Sequence, residues 1–336
     1  MIASRKYRVA LVGCGHIAET GHLPSLLRHA RFELAALCDI RAERAALLSE
    51  KAGGVAMCSD YRELLGRKDI DAVILALHPK VNVEAAVAFL RHGKAVLAEK
   101  PLASSLDEGL RLEREIAAVK GVYQVGFVFR YVPLVKKVAE IAREIGTPAI
   151  YDVEIYDERL DRGNAEHVRA MQTCFSNTSI LNYEGSHLFD YFAQWNPSPW
   201  VRAHATALKT DPAFGGPNLW DAQLILADGS LLHFEVGALL PDLPDCRFRI
   251  SGPRGWMELN IRTGAGRWGR ESEIREIRTE PIAQDWAKQL DVFAEAIDAG
   301  GARSSTVKDG LRALTAAMAC EQSCRTGAAV NIESIH

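Results

Sequence analysis

Lys100, in Glu99-Lys100-Pro101, and His187, in Tyr183-Glu184-Gly185-Ser186-His187-Leu188-Phe189-Asp190, are the residues of this chain best suited to proton chemistry on an alcohol. A lysine ammonium can hydrogen-bond an oxygen on which negative charge develops. It can also pass protons where burial or a neighbouring cation lowers its pKa. An imidazole and a phenol can share proton work on a hydroxyl or carbonyl. Positions four and seven apart share a helix face, so Tyr183, His187 and Asp190 line one side of a helix expected from Leu181 to about Trp195. Asp190 could set the imidazole tautomer or pair elsewhere. Taken singly, a histidine beside Leu188 and Phe189 also reads as a core residue, and a lysine after a strand as a surface one. Spacing alone does not place the two opposite one another.

A second constellation is built to hold a dinucleotide. The apolar run Val9–Val12 enters Gly13-Cys14-Gly15-His16-Ile17-Ala18, a G-x-G-x-x-A turn, and a second apolar run ends at Asp39. Gly13 permits the tight turn, Gly15 lets backbone approach a pyrophosphate, and Ala18 keeps the helix close to the strand. The helix start, with His16 and Ile17, offers free N–H groups and a partial positive charge to the phosphates. Asp39 can accept hydrogen bonds from ribose hydroxyls and repels a 2′-phosphate, which favours NAD over NADP. Arg41 and Arg44 argue the other way, since either could pair with that phosphate, unless both are the solvated start of the next helix.

These residues need particular elements to position them. A chain of 336 residues, 48% apolar and 25% charged, has the composition of a globular protein of about two domains. Its net charge of −3 gives no reason to expect nucleic acid or an acidic membrane surface as partner. No apolar run approaches a membrane span or a signal peptide, and seven scattered cysteines suit a reducing cytoplasm. Cys320 and Cys324 read as buried thiols of a helix and not as metal ligands, and no metal is expected.

Residues 7–120 alternate apolar runs with amphipathic ones: strands at Asp71–Leu77, Ala95–Ala98 and Val122–Val125, helices at Ala42–Lys51, Val83–Leu90 and Leu106–Val119. That alternation predicts an α/β chain with an N-terminal Rossmann domain, a doubly wound parallel sheet, over residues 1–126. In such a sheet ligands bind beyond the carboxyl ends of the strands, where Lys100 follows Ala95–Ala98. Beyond Gly126 the pattern changes to many strands with little helix: Ala149–Tyr156, Trp200–Leu208, Leu219–Leu226, Leu231–Val236, Cys246–Ser251, Trp256–Asn260 and Ile274–Arg278. Residues 127–336 therefore read as an α/β domain with an open, mostly antiparallel sheet, closed by helices at about Ala283–Ala299 and Val307–Thr326.

The chain resembles the glucose–fructose oxidoreductase / inositol dehydrogenase family, also written Gfo/Idh/MocA, essentially end to end. The resemblance is carried by the Gly13–Ala18 turn, Glu99-Lys100-Pro101, Gly126-Phe127 with Arg130-Tyr131, Gly185-Ser186-His187-x-x-Asp190, and Gln289-Leu290-x-x-Phe293 with Gly327. It implies NAD(P)-dependent oxidation or reduction of a sugar, cyclitol or related polyol, and a C-terminal sheet that joins copies into a homodimer or homotetramer. It places Lys100 and His187 on the family's catalytic lysine and histidine. His78, Asn82 and Glu99 join the expected cofactor site, and Arg130, Tyr156 and Asp190 the expected substrate contacts. Two departures stand out. Tyr183 occupies a position where relatives commonly carry aspartate, and a phenol and a carboxylic acid differ in pKa by about six units. Pro79-Lys80-Val81-Asn82 lacks a histidine that many relatives have near Asn82. Tyr183 is accordingly read as either acid/base or substrate-stacking. Three rival functions remain at this level: a redox-neutral sugar hydrolase or lyase that keeps its NAD, an imine reductase, and a non-catalytic nucleotide sensor.

Overall fold

The computed structural model describes residues 6–175, 178–212 and 214–332. It divides into two compact units. One comprises Met1–Val128 with Asp285–Leu311, the other Phe129–Gln284 with Arg312–His336.

In the first unit β1 (Tyr7–Val12), β2 (Phe32–Cys38), β3 (Met57–Cys58), β4 (Ala72–Leu75), β5 (Ala95–Ala98) and β6 (Tyr123–Val125) form one sheet in the order β3-β2-β1-β4-β5-β6. Every pairing in it is parallel. Parallel strands need crossovers, which cover both faces, and all four residues of β4 and of β5 are buried accordingly. The helix Leu106–Val119 starts where capping chemistry allows. Ser105 Oγ accepts the Glu108 N–H at 3.3 Å, and the Glu108 carboxylate accepts the Ser104 N–H at 3.1 Å.

The helix Trp286–Ala299, capped by Asp285 on the Lys288 N–H at 2.9 Å, belongs to this unit. Leu290, Phe293 and Ala294 complete the core around Val9, Leu11, Phe32 and Leu37, with Phe293 stacked on Phe32 at 5.7 Å. A division at residues 126 and 127 does not include this return. An amphipathic helix shows that it buries a face but not which sheet receives it.

The second unit holds β7 (Ile150–Asp157), β8 (Trp200–Leu208), β9 (Leu219–Leu226), β10 (Leu231–Ala238), β11 (Arg247–Gly252), β12 (Gly255–Asn260), β13 (Ala265–Arg270), β14 (Glu273–Arg278) and β15 (Val330–Asn331). Among the described residues their order is β14-β13-β12-β11-β7-β10-β9-β8-β15. Among the described residues of this sheet, β7 and β10 alone pair in parallel. Alternation divides the two faces. Tyr151, Val153, Leu232, Phe234 and Val236 are buried, whereas the alternate positions Asp152, Glu154, His233 and Glu235 are only partly so. Aromatic contacts hold the helix Gly185–Trp195 on the buried face: Phe192 on Tyr151 at 4.9 Å, Phe189 on Phe234 at 5.4 Å and Trp195 on Phe248 at 4.8 Å.

Two elements were not anticipated from the sequence, and one differs from its expectation. The strand β13, Ala-Gly-Arg-Trp-Gly-Arg, lacks an apolar alternation, and Gly266 is needed because a Cβ there would lie 2.2 Å from the Glu258 carbonyl oxygen. The helix Ala165–Phe175 lies in a stretch to which the sequence reading assigned no element. The helix expected from Leu181 to Trp195 is two pieces, Ile180–Tyr183 and Gly185–Trp195, with a turn at Glu184. Among the described residues no helix is long and apolar enough to cross a membrane.

Candidate active site

The strands β1, β2, β4 and β5 end at one edge of the parallel sheet, and the sequence-predicted cofactor residues follow those ends. Gly13 follows β1. Its φ of +91° and the 2.2 Å that would separate a Cβ from the Ala76 carbonyl oxygen make glycine obligatory there. Gly15 has open space where its side chain would be, so backbone can be approached closely. The helix begins at His16, which is exposed, and Ile17. Asp39 follows β2. Its carboxylate accepts the Cys14 N–H at 2.7 Å and the Arg41 N–H at 2.8 Å, which aims it across the glycine turn and leaves lone pairs for ribose hydroxyls. These residues fit a dinucleotide. Arg41 is exposed and 3.5 Å from Asp39. Arg44 is engaged elsewhere, donating to the Cys14 carbonyl at 2.9 Å and to Glu19 at 2.7 Å, so it braces the turn and is not free for a 2′-phosphate.

Beyond β4 and β5 the same edge carries the rest. His78 caps the helix Pro79–Arg91 by accepting the Lys80 N–H at Nδ1, 3.3 Å away. Burial, helped by Lys80, holds its pKa below the ordinary histidine value, which keeps Nδ1 an acceptor. Asn82 is buried and donates to the Glu99 carbonyl at 3.0 Å. Glu99 and Lys100 follow β5 directly, and the Lys100 N–H donates to Glu99 Oε2 at 3.3 Å.

The second unit contains a cavity of about 470 Å³, within the range of small-molecule sites. The helix Gly185–Trp195 and its N-cap residue Glu184 present Glu184, His187 and Tyr191 to it, spaced by three and four residues. His187 is buried, with its ring edge-on to Phe129 at 4.7 Å. Tyr191 is 1% exposed, and its hydroxyl is buried without a hydrogen-bond partner. Burial holds that phenol well above its ordinary pKa, so it stays an O–H donor at any physiological pH. Apolar walls come from Ile155, Ile261 and Ile282, and polar ones from Asp157, Arg262 and Gln284.

The expected substrate contacts are placed differently. Arg130 and Asp190 are engaged with each other: Nε lies 3.1 Å from both carboxylate oxygens and Nη2 also reaches Oδ1, in a pair whose side chains are 10% and 1% exposed. Asp190 is thus one end of an internal ion pair and does not line the cavity. Tyr156 borders the cavity through its strand, but its phenol bonds Glu235 on the opposite face of the sheet. Strand parity decides this, since Ile155 and Asp157 share the face of Val153, and Tyr156 that of Glu154. Gly237 makes room for the Tyr156 ring, which a Cβ would meet at 2.7 Å. Tyr183 is half-buried, outside the cavity lining, with its ring edge-on to Phe175 at 5.7 Å. Cys246 lines the cavity as a structural thiol: burial pushes its pKa up, and it accepts the Tyr156 N–H at 3.3 Å. Sequence reasoning missed Glu184, Tyr191 and Arg262. The first two were accessible from the i, i+3, i+7 spacing around His187. Arg262, in a turn after β12, carried no signal.

Comparison with known proteins agrees with this architecture. A family profile described as "Oxidoreductase family, NAD-binding Rossmann fold" (GFO_IDH_MocA) matches residues 7–127. The chain is 28% identical over 352 residues to the uncharacterized oxidoreductase YrbE of Bacillus subtilis, covering 96% of each. It is 26% identical over 344 residues to inositol 2-dehydrogenase 2 of Saccharopolyspora erythraea, covering 97% of this chain and 95% of the other. Among solved structures, an oxidoreductase from Thermotoga maritima superposes with a TM-score of 0.85 at 22% identity, covering 98% of this chain and 99% of that one.

Proposed function

The chain belongs to the Gfo/Idh/MocA family of NAD(P)-dependent dehydrogenases and reductases, and from that premise we propose that it moves a hydride between nicotinamide and a secondary alcohol or ketone carbon of a sugar, cyclitol or sugar derivative. Bound nicotinamide supplies the hydride acceptor or donor. The chain's residues supply position and proton handling. In the oxidation direction His187 takes the hydroxyl proton, and Lys100 hydrogen-bonds the oxygen as it becomes a carbonyl. In the reduction direction each role runs backwards.

The observation that carries this reading is the second-unit cavity. It places an imidazole among alternating apolar walls and hydrogen-bonding groups, which suits a ring with hydroxyls on its rim and C–H groups on its faces. Tyr191, whose hydroxyl has no internal partner, can donate to one ring oxygen, and Glu184 and Asp157 can accept from others. On the cofactor side, the Asp39 carboxylate and the engaged Arg44 favour NAD over NADP.

The test is absorbance at the reduced-nicotinamide band, with NAD or NADP supplied to a panel of cyclitols, free sugars and sugar phosphates. A rise with a cyclitol or free sugar and NAD is expected. NAD binding without a rise on any member would reject the dehydrogenase reading, in favour of a redox-neutral enzyme or a nucleotide sensor.

A further inference from the structure

His22 is a buried titratable group that the chemistry above does not use. It sits on a π-helical turn, Ala18–His22, that starts at the last residue of the glycine motif, and is 1% exposed. Pro24, which lacks an N–H, follows at the start of Leu23–Arg28, and the wider turn accommodates it while directing Gly21 and His22 inward. His22 Nε2 lies 2.8 Å from Glu99 Oε1. A carboxylate only accepts, so Nε2 carries the hydrogen and donates it.

The surroundings close the imidazole into that one engagement. Trp286 packs edge-on against it at 4.7 Å, and Gly21 admits the indole, which a Cβ would meet at 2.5 Å. Nδ1 is buried with no hydrogen-bond partner. An imidazole with one orphaned nitrogen is a poorer core filler than an apolar side chain of its size, so packing does not account for it. On its other side Glu99 is seated just as closely. A Cβ at Gly126 would lie 3.0 Å from Glu99 Oε1, so a side chain there would press on the carboxylate. Oε2 accepts the Lys100 N–H, and the Glu99 carbonyl accepts Asn82 Nδ2. Glu99 is therefore held at both carboxylate oxygens and at its carbonyl, one residue before Lys100.

We propose that His22 is a positioning residue for Lys100: it clamps the Glu99 carboxylate, and the clamped Glu99 sets the direction in which Lys100 leaves β5. This rests on the reading of Lys100 as the group that polarises the substrate oxygen. The clamp acts through hydrogen-bond geometry, so a neutral donor of similar reach should replace the imidazole, and an apolar residue of similar size should not.

The test compares His22→Leu, His22→Gln, Lys100→Met and the double variant His22→Leu/Lys100→Met. The first readout needs neither substrate nor cofactor. Limiting acetic anhydride acetylates lysines in competition, and peptide mass spectrometry reports Lys100 relative to the exposed Lys137. In His22→Leu the ratio is expected to change several-fold while the melting temperature holds, and His22→Gln should restore it. The second readout is turnover on the substrate found in the panel. His22→Leu should lower kcat by up to about 10²-fold with KM for NAD unchanged, the scale expected when a reacting group is displaced by about 1 Å. The same substitution should cost nothing further in the Lys100→Met background. An unchanged Lys100 ratio in His22→Leu, failure of Gln to rescue, or full additivity in the double variant would each overturn the clamp. If His22→Leu does not fold, Glu99→Gln supplies the same comparison, because an amide in that slot weakens the acceptor without emptying it. Undiminished turnover in Lys100→Met would instead remove the reading of Lys100, while the labelling ratio would still report whether the clamp exists.

Discussion

At the scale of single residues, Tyr191 and Asp190 show how one helix carries two unlike polar groups. The Tyr191 hydroxyl is buried with no partner and borders the cavity. Tyr191→Phe should therefore leave thermal stability unchanged or raise it, because an unsatisfied hydroxyl is removed. The same change should raise KM for a polyol about tenfold, the equivalent of one lost hydrogen bond of ~1.4 kcal/mol. Calorimetry and steady-state kinetics on one preparation check both. Asp190 has the opposite profile. Its carboxylate is buried against Arg130, and Asp190→Ala would take this charge partner away from a largely buried guanidinium. A loss of about 3–5 kcal/mol in urea-induced unfolding is expected. If Asp190→Ala unfolds at the wild-type midpoint, the pair contributes nothing to the fold.

At the scale of elements, the first βα turn and the helix after β4 set the cofactor edge. Gly13→Ala forces a Cβ to 2.2 Å from the Ala76 carbonyl, which belongs to the backbone and cannot swing away. Loss of NAD binding, by calorimetric titration, with a strongly lowered melting temperature is expected. The helix Pro79–Arg91 depends on a histidine cap that works only while its Nδ1 is unprotonated. Its folded pKa is depressed, by burial first and by Lys80 second. Below the unfolded value of 6.5 the unfolded chain binds a proton that the folded one resists, so stability is present above 6.5 and lost as pH falls toward the folded pKa. His78→Asn, which caps without titrating, should flatten the melting profile below pH 6.5.

At the scale of the whole molecule, the face of the nine-stranded sheet opposite the cavity helix carries cross-strand ion pairs and exposed apolar side chains. His233 lies between Asp152 at 3.3 Å and Asp221 at 3.2 Å, on the strands either side of its own. Burial pulls its pKa down, but Asp221 and then Asp152 outweigh it, and the folded value is raised. Its contribution is therefore complete below pH 6.5 and lost as pH rises through the folded value, the opposite sense to His78. Ile150, Leu208 and Ile274 on this sheet are 53%, 63% and 63% exposed. The family resemblance implies a C-terminal sheet that joins copies, and if this face is that interface, Ile150→Lys with Ile274→Lys should shift the elution volume of the native protein toward that of a monomer. An unchanged elution volume would place any interface elsewhere.

What the sequence determined by itself was whatever depends on short-range geometry. Gly13, Gly15 and Asp39 could be read because a tight turn and a strand-end acid are local requirements, and the parallel sheet because its buried strands are continuously apolar. Lys100 was legible as a residue just past a strand, and His187 as one member of a helical stripe. The tertiary structure decided what depends on parity, on a single bend, or on distant partners. One residue of strand parity sends the Tyr156 phenol to Glu235. A turn at Glu184 separates Tyr183 from the stripe that borders the cavity. Arg130 and Asp190 meet across 60 residues, and His22 meets Glu99 across 77. No local pattern encodes such pairs, because each exists only once packing has brought two elements together and removed the water that would otherwise solvate both groups.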